Sequence, residues 1–374
     1  MNGMHIDTKA GRATLNSYGR FMKSSIAWFG LLIALLNVTT VAAQSAGDIL
    51  KTYETLGKSD KRARLIDGAK KEGRFVFYGT LGVDAAAPML EKFRQAHSYL
   101  TIGHYRGNGS GLFNKVVTEA RGSKFEADVI EISAGPSAEL IRAGYIDPYR
   151  STEIETVRPE FRDGKNLWHA YQYLVVALAY NKNRVKESEL PKNYQDLLSP
   201  RWKGGKMSLD TDDADIFAGL LDSWGEKPGL EYFRRLAKQE PVLRNGHTLQ
   251  AQLLAAGEVD LHPWSHAQRP LLMADRGAPV AIEFIQPVVS KAQGLLLAKK
   301  SPHPHAAALF IDWALSEEGQ TFIGIDLVRS PVRAGTKQKY TVLGTPKTKV
   351  LTPDFLGRDF ERYSKLYREI FGVR

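Results

Sequence analysis

Between Arg74 and Ala143 the sequence alternates short β-rich runs with helix-prone segments three times over, and this alternation restricts the fold more than any other feature. Arg74–Tyr78 (Arg-Phe-Val-Phe-Tyr) is a compact strand-type run, and Ala85–Gln95 reads as a helix with Met89, Leu90 and Phe93 on one side. Leu100–Tyr105 is a second strand, after which Gly107-Asn108-Gly109-Ser110-Gly111 opens a helix through Arg121. Ala127–Ser133 is a third strand, followed by a helix over Ser137–Ala143. Parallel strands need a long crossover, usually a helix, so the pattern predicts an α/β, doubly wound, mainly parallel sheet. In such sheets ligands bind at the loops after the strand C-termini.

A second stretch, Lys291–Gln320, supports the same architecture from the other end of the chain. Gly294–Ala298 is apolar and long enough for one buried strand. Pro302 and Pro304 end it, because proline cannot donate to a ladder. Ala307, Phe310, Ile311, Ala314 and Leu315 then fall at helical spacing, which predicts an amphipathic helix with one apolar stripe. Ser316 is placed to cap a further short helix, with Glu317 and Glu318 near its positive end.

The chain begins with a polar segment, then Ile26–Val38 forms an apolar run too short to span a bilayer comfortably. Lys23 precedes it and Val41-Ala42-Ala43 follows, so residues 1–43 read as a secretory signal peptide cleaved after Ala43. Met22-Lys23-Ser24-Ser25 makes the more typical start, which places initiation at Met22; the competing reading is an uncleaved anchor. The chain has no cysteine, which excludes disulfides, a thiolate nucleophile and Cys-ligated metal. Its net charge of +10 is not spread evenly: residues 1–43 carry a net +3 and residues 329–374 a net +7, so the middle is neutral. The basicity belongs to the ends, and no nucleic-acid-binding motif accompanies it. In the tail, Phe355, Phe360, Tyr363, Leu366, Tyr367 and Ile370 have loosely helical spacing, which predicts a helix packed on the body of the protein.

Several runs together resemble the family 1 extracellular solute-binding proteins of bacterial ABC importers, in the group that includes ferric-iron binders. They are Lys71–Gly79, Ala127-Asp128-Val129 and Ala143–Tyr149; Leu174–Asn181; Tyr194-Gln195-Asp196-Leu197-Leu198-Ser199-Pro200-Arg201-Trp202-Lys203-Gly204; and the closing Gly294–Gln320. The resemblance covers about Glu72 to Pro331 and implies a two-lobed type II periplasmic-binding-protein fold with crossing hinge strands. It implies residues 44–172 plus 291–335 as one lobe and 173–290 plus 336–374 as the other. It further implies a periplasmic monomer that captures a small molecule between the lobes and delivers it to a membrane permease, with no catalysis and no cofactor. In ferric-iron members an adjacent tyrosine pair grips the metal; counted from Gly257-Glu258-Val259-Asp260, that pair would fall at Ala267 and Gln268, and neither is tyrosine.

Candidate ligand contacts follow from the loop positions. Asn108, Gly109 and Ser110 sit where helix-start amides and the helix dipole suit an anion, although a plain tight turn would use the same residues. Thr80 and Ser133 end strands facing the same crevice. Asp210-Thr211-Asp212-Asp213 precedes a helix, where acids are ordinary caps; the resemblance makes Thr211 and Asp212 ligand contacts of the second lobe. In His262-Pro263-Trp264-Ser265-His266 a helix start is expected at Pro263, and Trp264 and His266 are assigned to the cleft for an organic ligand. The expected solute is therefore a small polar or anionic organic molecule. The alternative is a metal receptor using His262 and His266; an enzyme on the same scaffold is more remote, since no nucleophile–base pair is legible.

Overall fold

The structure, a computed structural model, describes residues 44–373, so the leader and its cleavage point lie outside the described residues. The chain opens with α1 (Ala46–Lys51) and α2 (Lys58–Glu72). The α/β units then follow as β1 (Arg74–Gly79), α3 (Val83–Ala96), β2 (Thr101–Arg106), α4 (Gly109–Arg121), β3 (Val129–Ser133) and α5 (Ala134–Arg142). After the short β4 (Ile146–Asp147), the long β5 (His169–Asn181) carries the chain into a second α/β body. That body holds β6 (Ser208–Asp210), α6 (Ala214–Trp224), α7 (Glu226–Ala237), β7 (Val242–Arg244), α8 (His247–Ala256), β8 (Leu261–His266), α9 (Gln268–Ala274) and β9 (Val280–Glu283). β10 (Val288–Ala298) returns, followed by α10 (Pro304–Leu315), α11 (Glu317–Ile325) and β11 (Ser330–Pro331). The tail forms β12 (Thr348–Leu351), α12 (Pro353–Leu356) and α13 (Phe360–Phe371).

The main sheet runs β11-β5-β10-β3-β1-β2. Pairing is parallel within the α/β units (β1 with β2 and with β3) and antiparallel along the crossing strands (β10 with β3 and β5, β5 with β8 and β9). Both crossing strands are buried along their whole length, which is why their sequences are near-continuous apolar runs. β10 begins at Val288, well before the apolar Gly294–Ala298 stretch that marks it in the sequence.

β5 is the covalent and physical link between two hydrophobic cores. Its residues alternate across the sheet, with Tyr173, Val175 and Ala177 in the first core and Val176, Leu178 and Tyr180 in the second. The first core stacks Phe75 on Phe310 (ring centroids 4.9 Å) and sets Phe93 edge-on to Phe310 (5.1 Å). The second brings Phe217 to Phe233 (4.5 Å) and adds Trp264 and, from the tail, Tyr367 and Phe371. The Tyr194–Gly204 run is part of this second core: Tyr194 packs edge-on to Trp224 (5.0 Å), and Trp202 is buried.

Two expectations change. α10 is buried on every side, with His305 its one residue outside the buried class, rather than apolar along a single stripe. The reason is that α2 and α1 cover the face that would otherwise meet water. His303 and His305, which look like surface residues beside the prolines, are partly buried and paired: His303 Nδ1 lies 2.9 Å from Asp128 Oδ2 and His305 Nδ1 2.6 Å from Glu72 Oε1.

The Ser-Glu-Glu-Gly-Gln sequence after α10 has a physical account. Ser316 Oγ caps α11 by accepting from Gly319 N (3.2 Å). Gly319 must lack a side chain, since a Cβ there would stand 2.0 Å from the Trp313 carbonyl oxygen. Buried Gln320 donates Nε2 to the carbonyls of Tyr171 (2.7 Å) and Ala314 (2.6 Å), and its Oε1 accepts from Val332 N (2.8 Å) and Arg333 N (3.0 Å). Gln320→Ala would strand these backbone groups, each worth roughly 1–3 kcal/mol when buried unpaired. Urea unfolding should show the variant less stable by about 2–4 kcal/mol, with the slope of the transition unchanged; a loss below about 0.5 kcal/mol would show that the amide is not what holds this corner.

Candidate functional site

The loops at the C-terminal ends of β1, β2 and β3 face the start of α6 and the β7–α8 loop across a cleft of about 260 Å³. The crossing strands form its floor through Gln172, Leu174, Lys291 and Gln293. The two sides approach closely: Arg269 Nη1 is 3.0 Å from Asp84 Oδ2, and a Cβ built on Gly109 would stand 3.3 Å from Asp212 Oδ2.

Glu131, buried in β3, fixes the β1 side of the cleft. It accepts from Thr80 N (2.7 Å), Thr80 Oγ1 (3.0 Å), Leu81 N (3.1 Å) and Tyr171 Oη (3.2 Å). Burial raises its pKa above the usual carboxylate value, although these donors oppose the shift.

On the other side, Lys291 Nζ lies 3.3 Å from Asp213 Oδ1 and 3.0 Å from Asp215 Oδ1, with all three side chains buried. Burial alone would neutralise the lysine, but Asp215 and Asp213 hold it firmly protonated. Asp213 is likewise kept below the ordinary carboxylate range, where burial is outweighed by His247 and Lys291. Asp212 has no such partner; burial together with the neighbouring acids lifts it to about 6 despite Lys291.

The histidines form a directed chain. His262 Nδ1 lies 3.0 Å from the Ser208 carbonyl, so it carries the proton and donates there, leaving Nε2 to accept. His247 Nδ1 then donates to His262 Nε2 (3.3 Å), and His247 Nε2 donates to Asp213 Oδ1 (3.1 Å). That arrangement needs His247 protonated, and its pKa is raised: burial opposes, but Asp213 and Asp210 prevail. His262 is pushed down to about 4 by burial and by His247. His266 stacks on His247 (centroids 3.6 Å, planes 27° apart), and its Nε2 is buried without a partner. Asp213, His247 and His266 each bring one ligand-type atom to within 4.8 Å of the others.

Cations also line the cleft, Arg106 and Arg329 from the first-lobe side and Arg269 from α9 of the second body. Arg269 is paired with Asp84, and Arg106 Nε donates to the Leu81 carbonyl (3.1 Å). Arg329 has no ion-pair partner among the described residues, and its Nε is buried with no hydrogen bond. Burial and the nearby Arg269 lower its pKa.

Of the residues singled out in the sequence, Thr80, Asn108, Gly109, Ser133, Asp212 and His266 line this cleft. Asn108 caps α4 by accepting from Gly111 N (2.8 Å), so it is a cap and a cleft residue at once. Ser110 faces an adjoining cavity that shares Ser133 and Asp212 with the cleft. Thr211 stands beside the cleft, its hydroxyl taking a bond from Asn245 Nδ2 (3.2 Å). Trp264 is a correction: it is fully buried in the second core against Phe233 and Phe371. Its segment is a strand, not a helix start. Counting on from the Ala177–Ser265 pair, Trp264 falls opposite Leu178, and ordinary strand alternation turns its indole into the second core with Val176 and Leu178. His262 is also corrected, since it is fully buried with both ring nitrogens engaged. Arg106, Glu131, Gln172, His247, Lys291, Gln293 and Arg329 were missed. Gln172, Lys291 and Gln293 carried a usable signal, being polar residues inside otherwise apolar strands.

A family model described as bacterial extracellular solute-binding protein matches residues 127–356. The chain belongs to that family. This solute-binding protein is accordingly the periplasmic ligand-capturing component of an ABC importer, with a small ligand and a permease as partners. It is 26% identical over 297 residues to the iron uptake protein A1 of Synechocystis sp., covering 73% of this chain and 81% of that one. Among solved structures it resembles AfuA of Actinobacillus pleuropneumoniae with fructose-6-phosphate bound (TM-score 0.72, 21% identity, 81% and 99% covered). It also resembles iron-bound HitA of Pseudomonas aeruginosa (TM-score 0.69, 22% identity, 79% and 99% covered). These likenesses establish the two-lobed α/β fold. No helix of the described residues is long and apolar enough to cross a membrane.

The histidine chain of this solute-binding protein makes its stability sensitive to acid. With a folded pKa of about 4 against an ordinary 6.5, His262 takes up a proton in the unfolded chain but not in the folded one over that interval. Stability should therefore fall as pH drops from 6.5 toward 4, by up to about 1.4 kcal/mol per pH unit from this residue. Urea unfolding at pH 7.5 and pH 5 should show His262→Gln losing less stability on acidification than wild type; equal losses would remove His262 as a cause.

Proposed function

We propose that this receptor captures a small organic anion, a carboxylate or phosphorylated compound, between its lobes. One observation carries the reading: Arg329 places a guanidinium in the cleft with a buried, unpartnered Nε and no ion pair among the described residues, Asp84 and Glu131 acting on it from beyond salt-bridge distance. A buried donor without a partner is costly, and an anionic ligand would satisfy it with a charge-assisted bond. Arg106, the first-turn amides at Asn108–Ser110, and the carboxamides of Gln172, Gln268 and Gln293 offer further donors to such a ligand. Gln293 Oε1 and Gln172 Oε1 are buried acceptors without partners, suited to ligand hydroxyls. The AfuA neighbour, solved with fructose-6-phosphate, supports a phosphorylated organic ligand in a cleft of this fold. The reading takes the cleft as a site of binding without turnover.

A thermal-shift screen of the mature protein against carboxylates, sugar phosphates, phosphonates and metals tests this, because a ligand that binds only the folded state stabilises it. The expected hits are anions, and Arg329→Gln should weaken the best of them by about 10- to 100-fold, the loss of one hydrogen bond to a charged group. Hits confined to metals, or anion binding indifferent to Arg329, would overturn the reading.

The second reading is a metal receptor, and the names of the relatives weigh toward it, since the Synechocystis protein is an iron uptake protein and HitA was solved with iron. Its structural support is the convergence of Asp213, His247 and His266. Against it, both nitrogens of His247 are engaged within the protein, so a metal would have to displace its bond to Asp213 or to His262. No tyrosine lines the cleft among the described residues, and Gln268 stands where one of the phenolate pair would fall. Elemental analysis after incubation with Fe(III) and with Zn(II) decides: this second reading expects one tightly held ion per chain, lost in His266→Ala, and a metal-free protein would sink it.

A further inference from the structure

The basic tail, which the ligand reading leaves without a role, touches both lobes beside the cleft. On the second lobe, α13 lays Tyr367 and Phe371 on the core around Trp264, and Arg362 makes two bonds to Glu226 (2.7 and 3.0 Å). The Tyr367 hydroxyl donates to the Asp210 carbonyl, at the start of the loop that carries Asp212 and Asp213 into the cleft. On the first lobe, Phe360 covers Gly135 in the first turn of α5, two residues after Ser133. A Cβ at Gly135 would stand 2.2 Å from the Phe360 ring. Leu356, 1% exposed, belongs to a small apolar cluster with Ala134 of the first lobe and Ala218 of the second.

We propose that this tail is a strap that holds the lobes in their closed arrangement: Leu356 and Phe360 bridge α5 to α6, and Tyr367 positions the Asp210–Asp213 wall. The argument is one of complementarity. Gly135 is the first-lobe residue whose missing side chain leaves room for a second-body ring, and the contact exists only while α5 and α13 stay together. Opening the cleft by moving α5 away would expose Phe360, Leu356 and Ala134 to water, at about 25 cal/mol per Å² of apolar surface. The strap thus adds to the ligand's own bridging contacts in favouring closure. It rests on the two-lobe binding reading but not on the identity of the ligand.

The test uses small-angle X-ray scattering of the mature chain without added ligand, together with fluorescence transfer between dyes at Arg121→Cys and Lys227→Cys. Both positions are exposed, and the chain has no other cysteine to label. Gly135→Ala places a methyl in a helix, where alanine is the better former, and a cooperative urea transition establishes that the variant is folded before scattering is compared. It should nevertheless raise the radius of gyration and lower the transfer efficiency by driving the ring out. Gly135→Ala with Phe360→Leu, which removes the clashing ring, should restore both, while Phe360→Ala alone should open the protein without any clash. A Gly135→Ala protein indistinguishable from wild type, or an opening that Phe360→Leu does not reverse, would overturn the proposal. Because no ligand is added, either result stands whatever the screen for solutes finds.

Discussion

The polar half of the cleft is arranged around one buried ammonium. Lys291 comes from a crossing strand, Asp213 and Asp215 from the start of α6, and all three are out of reach of bulk water. Moving such charges out of water is expensive, and their mutual attraction repays that only with close geometry and satisfied hydrogen bonds. The consequence is mechanical: the first turn of α6 cannot leave β10 without uncovering an unpaired charge. Asp213 is in turn the acceptor that keeps His247 protonated, and His247 fixes the tautomer of His262. His247 and Lys291 together therefore hold Asp213 ionised, while Asp213 and Asp210 keep His247 charged against the opposing lysine.

That arrangement decides which charges are left for a ligand. Lys291 is neutralised by its two aspartates and Arg269 by Asp84, so neither presents an uncompensated charge. Arg106 and Arg329 remain, on the first-lobe side, facing Asp212 on the other. A ligand with an anionic end and a neutral hydroxylated end fits this asymmetry better than a bare cation would. Asp212, lifted to about 6, can also accept a proton near neutrality and act as a donor to such a ligand. Since these groups stand on different lobes, the ligand completes a set of contacts available only in the closed state.

Much of the fold was legible because the hydrophobic period is 2 in strands and 3.6 in helices, and the α/β units from β1 to α5 obey it cleanly. The period misled where a residue is shielded by something distant in sequence. α10 reads as amphipathic, yet α2, more than 200 residues upstream in α10's approach to the sheet, covers its other face. The site was half legible. Loop positions pointed to Thr80, Asn108, Gly109, Ser133, Asp212 and His266, whereas Arg106 and Arg329 look like ordinary surface arginines until the chain is folded. Trp264 misled because Pro263 suggests a helix start, whereas the segment is a strand whose alternation puts the indole on the Leu178 side of β5, in the second core.

The runs that carry the family resemblance turn out to serve the fold. Gly319 is forced by the Trp313 carbonyl, Gln320 ties four backbone groups, and Tyr194 and Trp202 fill the second core. Of these runs only Leu174 reaches the ligand space, joined by Lys291 and Gln293 just ahead of the closing run. Relatedness read through those residues therefore fixes a two-lobed receptor and leaves its solute open. On the proposed reading, solute choice rests on the cleft residues instead. Gln268 offers an amide at the place where the resemblance would put a phenolate, and Arg329 brings a guanidinium with no ion pair among the described residues. The proposed anion reading rests on that guanidinium, and the metal reading on Asp213, His247 and His266, so the two solute classes would draw on opposite walls of one cleft.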